Sequence, residues 1–453
     1  MALTRPVPTG EHTTTTAAGP PPARERRRTA GYAELPPPVD VALRAVRLEA
    51  QLGDPADPAN RYGLPALTAL QGTDGPPAPA DLHAEFLPAT AGGHFTTAEE
   101  LVRVLRPLFR RSPALGHAWA ARPLLATTGT ARPAPARPAE LAALLGPAAL
   151  LAATATVLRT AVYAVKNPGG DDGTARQWHG TLAGDFADLL ACESLTAVAL
   201  RCLDLPAEAT APLTAAVGYV VPLLLAGIHN DLELVLNETG LTPAGLEQRT
   251  LARLSADLTA GGGWPDPAAC RDRLVTALPA LAADGQPPAD ATTLLRIGER
   301  TVLPPGPLPE DTAGHHVLAA ALATAAAARP AEGEDGALAR AARRLRTERR
   351  TLRTPCLTAA TAPPADPAAR ALADRQALVL LAAAVLGVRR AADHTTFLSS
   401  PDWALLALVR ITERLGLPRP PVPADPRDAV WAELARRSSS GIDCDVYATK
   451  SLW

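Results

Sequence analysis

The chain has 453 residues, 47% of them hydrophobic, enough for two or three packed units with sizeable cores. Forty-four basic against 46 acidic residues leave a formal charge of −2, so no whole-chain field draws nucleic acid or an anionic membrane. Five cysteines (Cys192, Cys202, Cys270, Cys356 and Cys444) stand far apart without a CxxC pair, which fits the reducing cytoplasm better than a disulfide framework.

Residues 1–40, with ThrThrThrThr, two ProProPro runs and Arg24-Glu25-Arg26-Arg27-Arg28, lack the apolar patterning that offsets ordering entropy, and a disordered arm is expected. No apolar stretch follows these charges, so a secretory signal is not expected. From Pro147 to Lys166 the residues Leu150, Leu151, Val157, Leu158, Ala161, Val162 and Val165 fall at three-and-four spacing and predict a helix with one buried stripe. A second helix is expected from Thr181 to Leu203, stopped by Pro206. In the third, Thr210 caps, Pro212 opens the first turn, and Val217, Val221, Leu224, Ile228, Leu232 and Val235 form the stripe up to Gly240. Ala209 to Asn230 carries no formal charge over a length that could span a bilayer, but Pro212, Pro222, His229 and Asn230 favour a buried bundle helix. A fourth helix is expected at 243–258. GGGWPDP (261–267) punctuates the chain, and further helices are expected near 268–284, 312–328, 335–352, 368–390, 401–415 and 427–437. Aromatics are 4% of the residues and no β-alternating run appears, so an all-α fold is expected, with its first four bundle helices antiparallel.

Three blocks resemble a known family. LGDPADPAN (52–60) with DLHAEFLPATAGGHFTTAEELVRVLRPLFRRSPALGHAWA (81–120) resembles the helical N-terminal domain of acyl-CoA dehydrogenases, in an actinobacterial branch associated with secondary metabolism. GTLAGDFADLLACESLTAVALRCLDL (180–205) with VGYVVPLLLAGIHNDLELVLNETG (217–240) resembles that branch's C-terminal bundle, and ALADRQALVLLAAAVLGVRR (371–390) with the ending CDVYATKSLW resembles its helical tail. The family separates its helical halves by a flavin-covering β domain of about a hundred residues, a common size for a folding unit. Here Thr130–Gly146, TARPAPARPAELAALLG, offers only a Pro-rich linker and a helical turn or two. The resemblance therefore implies an arm (1–40), an N-terminal helical domain (41–129), a linker replacing the β domain (130–146), a four-helix bundle (147–260) and a helical C-terminal extension (261–453).

Other features of the family's site look altered. Its flavin-pyrophosphate segment corresponds to Lys166, Asn167, Pro168, Gly169 and Gly170, followed by Asp171 and Asp172, whose carboxylates would repel a diphosphate; a solvated turn is the simpler reading. Glu238 ends the third bundle helix, where a surface role outweighs that of a base, so no catalytic residue is assigned. His83 and Glu85 lack a third ligand, and His315-His316 are neighbours that diverge on a helix, so no metal site is assigned. Ser438-Ser439-Ser440 has no nucleophile elbow, and AGGH (91–94) and GGGW (261–264) read as turns rather than phosphate loops. Arg340, Arg343, Arg344, Arg346, Arg349, Arg350 and Arg353 read as a solvated helix face or a docking surface for an acidic carrier protein.

Three functions follow from the resemblance. The chain is a non-catalytic or half-site subunit of a complete flavin-dependent acyl-CoA or acyl-carrier-protein dehydrogenase, with FAD only at the interface with that paralogue. Alternatively it is itself an acyl-thioester α,β-dehydrogenase with an unusual FAD site, or a helical interaction scaffold without acyl binding.

Overall fold

The computed structural model describes residues 41–69, 76–89, 92–126, 138–166, 176–205, 207–238, 250–252, 266–283, 285, 291–298, 313–328 and 333–453. These residues are all-α: no strand occurs among them, and the only pairings of that kind are isolated bridges at Pro88↔Phe95 and Ile442↔Lys450. The longer helices are α1 (Val41–Leu52), α2 (Ala98–Arg111), α3 (Pro138–Lys166), α4 (His179–Arg201), α5 (Ala207–Glu238), α6 (Pro267–Ala282), α7 (Gly314–Ala327), α8 (Gly333–Thr358), α9 (Pro367–Ala391), α10 (Pro401–Arg414) and α11 (Arg427–Ser440). Short helical segments, Ala291–Leu295 among them, fill the connections.

Local chemistry explains where these helices start. Thr97 accepts from the Glu100 amide, and Glu100 Oε2 accepts from Thr96 N at 2.7 Å, a reciprocal cap for α2. Asp266-Pro267, Asp366-Pro367 and Ser400-Pro401 open α6, α9 and α10 by one device, an oxygen acceptor at the cap followed by a proline that needs no amide partner. Gly441 ends α11 with φ +63°, a left-handed conformation that spares glycine a steric cost, and turns the terminal segment inward.

α4 is the centre of the packing. Every residue from Leu182 to Arg201 is buried, and α2, α3, α5, α9, α10 and α11 all lie against it. A helix apolar nearly all round fits such a position. The heaviest packing elsewhere joins α3 to α5 and α5 to α6, while α2 lies directly on α3. One apolar core runs from Leu48 to Val446, so the expected N-terminal domain, bundle and extension share it.

Among the described residues, three segments are long and apolar enough to cross a membrane: Pro138–Lys166, Ala209–Glu238 and Pro367–Ala391. In the fold, 89%, 67% and 72% of their most apolar windows are buried inside the protein. Helix packing therefore accounts for much of their apolarity. The α5 stripe of Val217, Val221, Leu224, Ile228, Leu232 and Val235 is buried as its spacing predicts.

Some boundaries differ from expectation. α3 begins at Pro138 rather than Pro147, so Pro138–Gly146 is bundle helix and not linker; Pro147 forgoes one ladder bond without ending it. α5 begins at Ala207, which places Thr210 inside the first turn, buried, rather than at the cap. The arm at 1–40, most of the helix expected at 243–258, and GGGW (261–264) lie outside the described residues.

Candidate functional site

The helices near the N-terminus meet the central bundle along a charged seam. α2 carries Arg106 and Arg110 one turn apart, and both point into that seam with almost no exposure. Arg106 Nε donates to Asp443 Oδ2 at 2.7 Å and lies 3.2 Å from Asp445 Oδ2, while its Nη1 lies 2.7 Å from Glu193 Oε1 on α4. Arg110 joins Glu49 of α1 at 3.1 Å and Asp443 at 3.5 Å.

Both aspartates come from a terminal hairpin built on Gly441. Asp443 N donates to Thr449 O at 2.8 Å, Ser451 N to Gly441 O at 2.8 Å, and Thr449 N to Asp445 Oδ1 at 2.9 Å. Arg437 Nη1 donates to the Asp443 and Asp445 carbonyls at 3.2 and 2.6 Å. Leu452 N donates to Glu49 Oε2 at 3.0 Å, and Arg159 Nη2 to Trp453 O at 3.0 Å. The last residues of the chain thus tie α1, α2, α3, α4 and α11 together.

The charges in this knot are not equivalent. Burial pushes the Glu193 carboxyl up to about 7 despite Arg106 beside it. Burial also opposes ionisation of Asp443, but Arg106, Arg110 and Arg159 more than offset it and hold that carboxyl well below the usual range. Burial and then Glu99 push the Tyr447 hydroxyl well up. Arg103 covers the Tyr447 ring at 4.6 Å, closing the knot on its outer side.

A second charged layer lies lower on α4. Asp188 accepts from Arg410 Nε at 2.7 Å and from Arg414 Nη1 and Nη2 at 2.9 and 2.5 Å. Asp185, one turn away, meets Arg410 only at 3.5 Å, and burial followed by the neighbouring Asp231 raises its carboxyl well above the ordinary value. Gly184 leaves the space that Arg410 Nη1 fills, since a Cβ there would stand 2.5 Å from it.

The residues singled out in the sequence are scattered. Glu85 receives Arg44 at 2.6 and 2.9 Å and meets His94 Nδ1 at 3.0 Å, a packing tie between α1 and its neighbours; the His83 side chain lies outside the description. Lys166 Nζ donates to Ala435 O at 3.3 Å and to Ser439 Oγ, while Asn167, Pro168, Gly169, Gly170, Asp171 and Asp172 lie outside the described residues. Glu238 is exposed at the end of α5 and accepts from Gln177 at 3.1 Å. Ser438 Oγ donates to Arg159 O of α3 at 3.4 Å, and Ser439 Oγ to Ala435 O within the last turns of α11 at 2.9 Å. Gly92 has φ +81° and Gly93 packs against Leu87, as a turn requires. His315 and His316 are buried on α7, with ring centroids 4.2 Å apart; burial and then His316 lower the His315 imidazole to about 4.

The arginines of α8 divide by face. Arg340, Arg343, Arg350 and Arg353 are exposed, Arg344, Arg346 and Arg349 are half-buried, and Leu338, Ala342, Leu345 and Leu352 face the core. Sequence reading missed Arg106, Glu193, Asp443 and Asp445. Its available signal was weak: two acids alternating with Cys444 and Val446 near the C-terminus.

A different feature offers a concavity. A cleft of about 570 Å³ lies between α7, the last turns of α9 and the short helix Ala291–Leu295. Leu295, Val317, Ala321 and Gly387 form its floor, while Arg296, Arg390 and His394 stand at its rim with Asp393. Gly387 lets the three helices close up, because a Cβ there would stand 2.9 Å from Leu295 Cδ2 and 3.1 Å from Ala321 Cβ. No family model, no curated protein and no solved structure matches the chain.

Proposed function

We propose that this chain is a non-catalytic helical subunit, similar in its helical parts to acyl-CoA dehydrogenases, that pairs with a complete flavin-dependent paralogue acting on acyl-CoA or acyl-carrier-protein thioesters. The observation that carries this reading is the filled seam: α2 packs directly on α3, and Arg106 is enclosed by Glu193, Asp443 and Asp445. In the family that the sequence resembles, the β domain sits between those helical halves and covers the flavin. Acyl-thioester oxidation needs a base, the flavin and the acyl chain in one water-poor cleft, and a seam closed by ion pairs supports a chain that does not carry out that chemistry alone. FAD then belongs at the contact with the partner.

Association is supported by the outward face of α5, where Leu223 and Leu234 are each 53% exposed beside exposed Ala226 and Gly227. The five cysteines are free and buried, in keeping with a cytoplasmic location. Co-expression with a full-length dehydrogenase paralogue encoded beside this chain, followed by size exclusion and flavin absorbance, tests the proposal. The expected result is a colourless isolated chain and a yellow complex. An isolated chain that is yellow and reduces a dye with an acyl thioester overturns it in favour of an enzyme, and failure to co-purify with any paralogue overturns it in favour of a scaffold.

A further inference from the structure

α8 buries one face and turns the other to water. On the outward face Arg340, Arg343, Thr347, Arg350, Thr354 and Leu357 are all exposed, and they recur every three and four residues. That spacing makes two rows with a seven-residue repeat, the way a helix presents side chains along the axis of a second helix. At 1.5 Å per residue the stripe is about 25 Å long. The Thr347 hydroxyl turns back to Arg343 O at 3.0 Å, so a compact residue separates the arginines.

Like charges three and four residues apart on a helix repel, and nothing along this stripe relieves them. No carboxylate among the described residues pairs with Arg340, Arg343 or Arg350, and Arg343 donates to a neutral acceptor, Ala328 O, at 3.4 Å. The acids nearby are used elsewhere. On α8 itself Asp335 accepts from Arg389 Nη2 at 2.7 Å, Glu348 accepts from Arg375 Nε at 2.7 Å, and Glu334 in the first turn faces Asp402 of α10. Among the helices packed against it, α7 carries no carboxylate, while Asp266 and Asp366 cap α6 and α9. Asp272 of α6 holds Arg370, Asp374 of α9 holds Arg271, and Glu413 of α10 lies 3.7 Å from Arg419. The stripe therefore keeps its positive charge for a counter-charge from outside.

We propose that the outward face of α8 docks an acidic helix of a partner protein. Carboxylates at three-and-four spacing on that helix meet Arg340, Arg343 and Arg350 through guanidinium forks, and an apolar residue at the end of the row covers Leu357, which is 45% exposed. A helix fits the stripe better than the other polyanions do. The stripe carries no aromatic ring on which a base could stack, and its one large apolar residue stands at an end rather than along a membrane-facing edge. The proposal stands whether or not the chain pairs with a dehydrogenase.

The test is fluorescence anisotropy of the full chain with a labelled alanine-based peptide of about twenty residues, long enough to be helical in water, carrying glutamates at three-and-four spacing on one face and a leucine ending the row. A second peptide of the same composition has its glutamates spread around the helix. The one-face peptide is expected to saturate at one site per chain and the spread peptide to bind at least about tenfold more weakly. Arg350→Glu is expected to weaken the one-face peptide at least about tenfold. Arg390→Glu, the same charge reversal at an exposed position at the end of α9, is expected to leave it unchanged. Unaltered thermal unfolding of both variants separates loss of binding from loss of fold. No saturable binding of the one-face peptide, equal binding of the two peptides, or binding that survives Arg350→Glu overturns the assignment. Tighter binding of a labelled DNA duplex or of phosphatidylglycerol vesicles overturns it in favour of a nucleic acid or a membrane.

Discussion

Arg106 and Asp443 stand 337 positions apart in the chain, yet the guanidinium Nε donates to the carboxylate over 2.7 Å with both side chains almost fully buried. Such a pair is costly to desolvate and costlier to break, because the surviving partner keeps its burial and loses its counter-charge. Asp443→Ala is expected to lower the free energy of unfolding by about 3–5 kcal/mol in urea titrations. Arg436→Ala, which removes a pair to Glu433 whose arginine is 53% exposed, is expected to cost at most about 1 kcal/mol. Equal costs for the two variants would mean that the terminal hairpin contributes no more than a surface pair.

Two buried groups pull the pH dependence of stability in opposite directions. Glu193 is raised to about 7 in the fold, so between about pH 4.5 and 7 the folded chain holds a proton that the unfolded chain has released, and stability falls as pH rises through that window. His315 is lowered to about 4, so between about pH 6.5 and 4 the unfolded chain takes up a proton that the folded chain refuses, and stability falls as pH drops. Each shift corresponds to about 3 kcal/mol at most. The slopes oppose one another where the windows overlap, and single variants separate them. Glu193→Gln is expected to become more stable relative to the parent as pH rises from 5 to about 7.5, and His315→Leu to become more stable relative to it as pH falls from 7 to about 4.5. Thermal melts across pH check both, and parallel profiles for parent and variants would show that neither group titrates in these windows.

The helices were legible because their stripes are local: α4, α5 and the helices from α6 to α11 appear close to the ranges expected for them. The start of α3 was hidden because Pro138 read as linker composition and Pro147 as the helix start, whereas Pro138 stands at the helix start and Pro147 is buried within it. The knot was hidden for a different reason. Arg106, Glu193 and Asp443 come from three distant segments, and spacing within each says nothing about which charges meet. A buried Arg inside LVRVLRPLFRR looks like any surface arginine until α4 and the hairpin cover it.

Asp185 and Asp188 lie one turn apart on α4, and substitution is expected to separate them. Asp188 accepts three hydrogen bonds from Arg410 and Arg414, so Asp188→Asn strands two cations and is expected to cost about 3–5 kcal/mol. Asp185 has its carboxyl pushed well up by burial and Asp231, so ionising it in the fold carries a cost that an amide does not incur. Asp185→Asn is therefore expected to leave stability at pH 7 unchanged or raise it. Urea titration of the two variants side by side decides the matter, and a large loss in Asp185→Asn would show that Arg410 holds Asp185 ionised.

The exposed face of α5 links the fold to the proposed partner. Leu223 and Leu234 lie eleven residues apart, close to three helical turns, with Ala226 and Gly227 between them on the same face, and a Cβ at Gly227 would meet nothing within 4 Å. A neighbouring helix can approach closely where side chains are small, and the leucines flank that approach. Charges there cost the isolated chain little, because both side chains already face water. Leu223→Glu with Leu234→Glu is therefore expected to keep the parent's unfolding temperature to within about two degrees while abolishing co-elution with the dehydrogenase paralogue on size exclusion. Retained co-elution would move the contact away from α5, and the exposed arginines of α8 would be the next surface to reverse in charge.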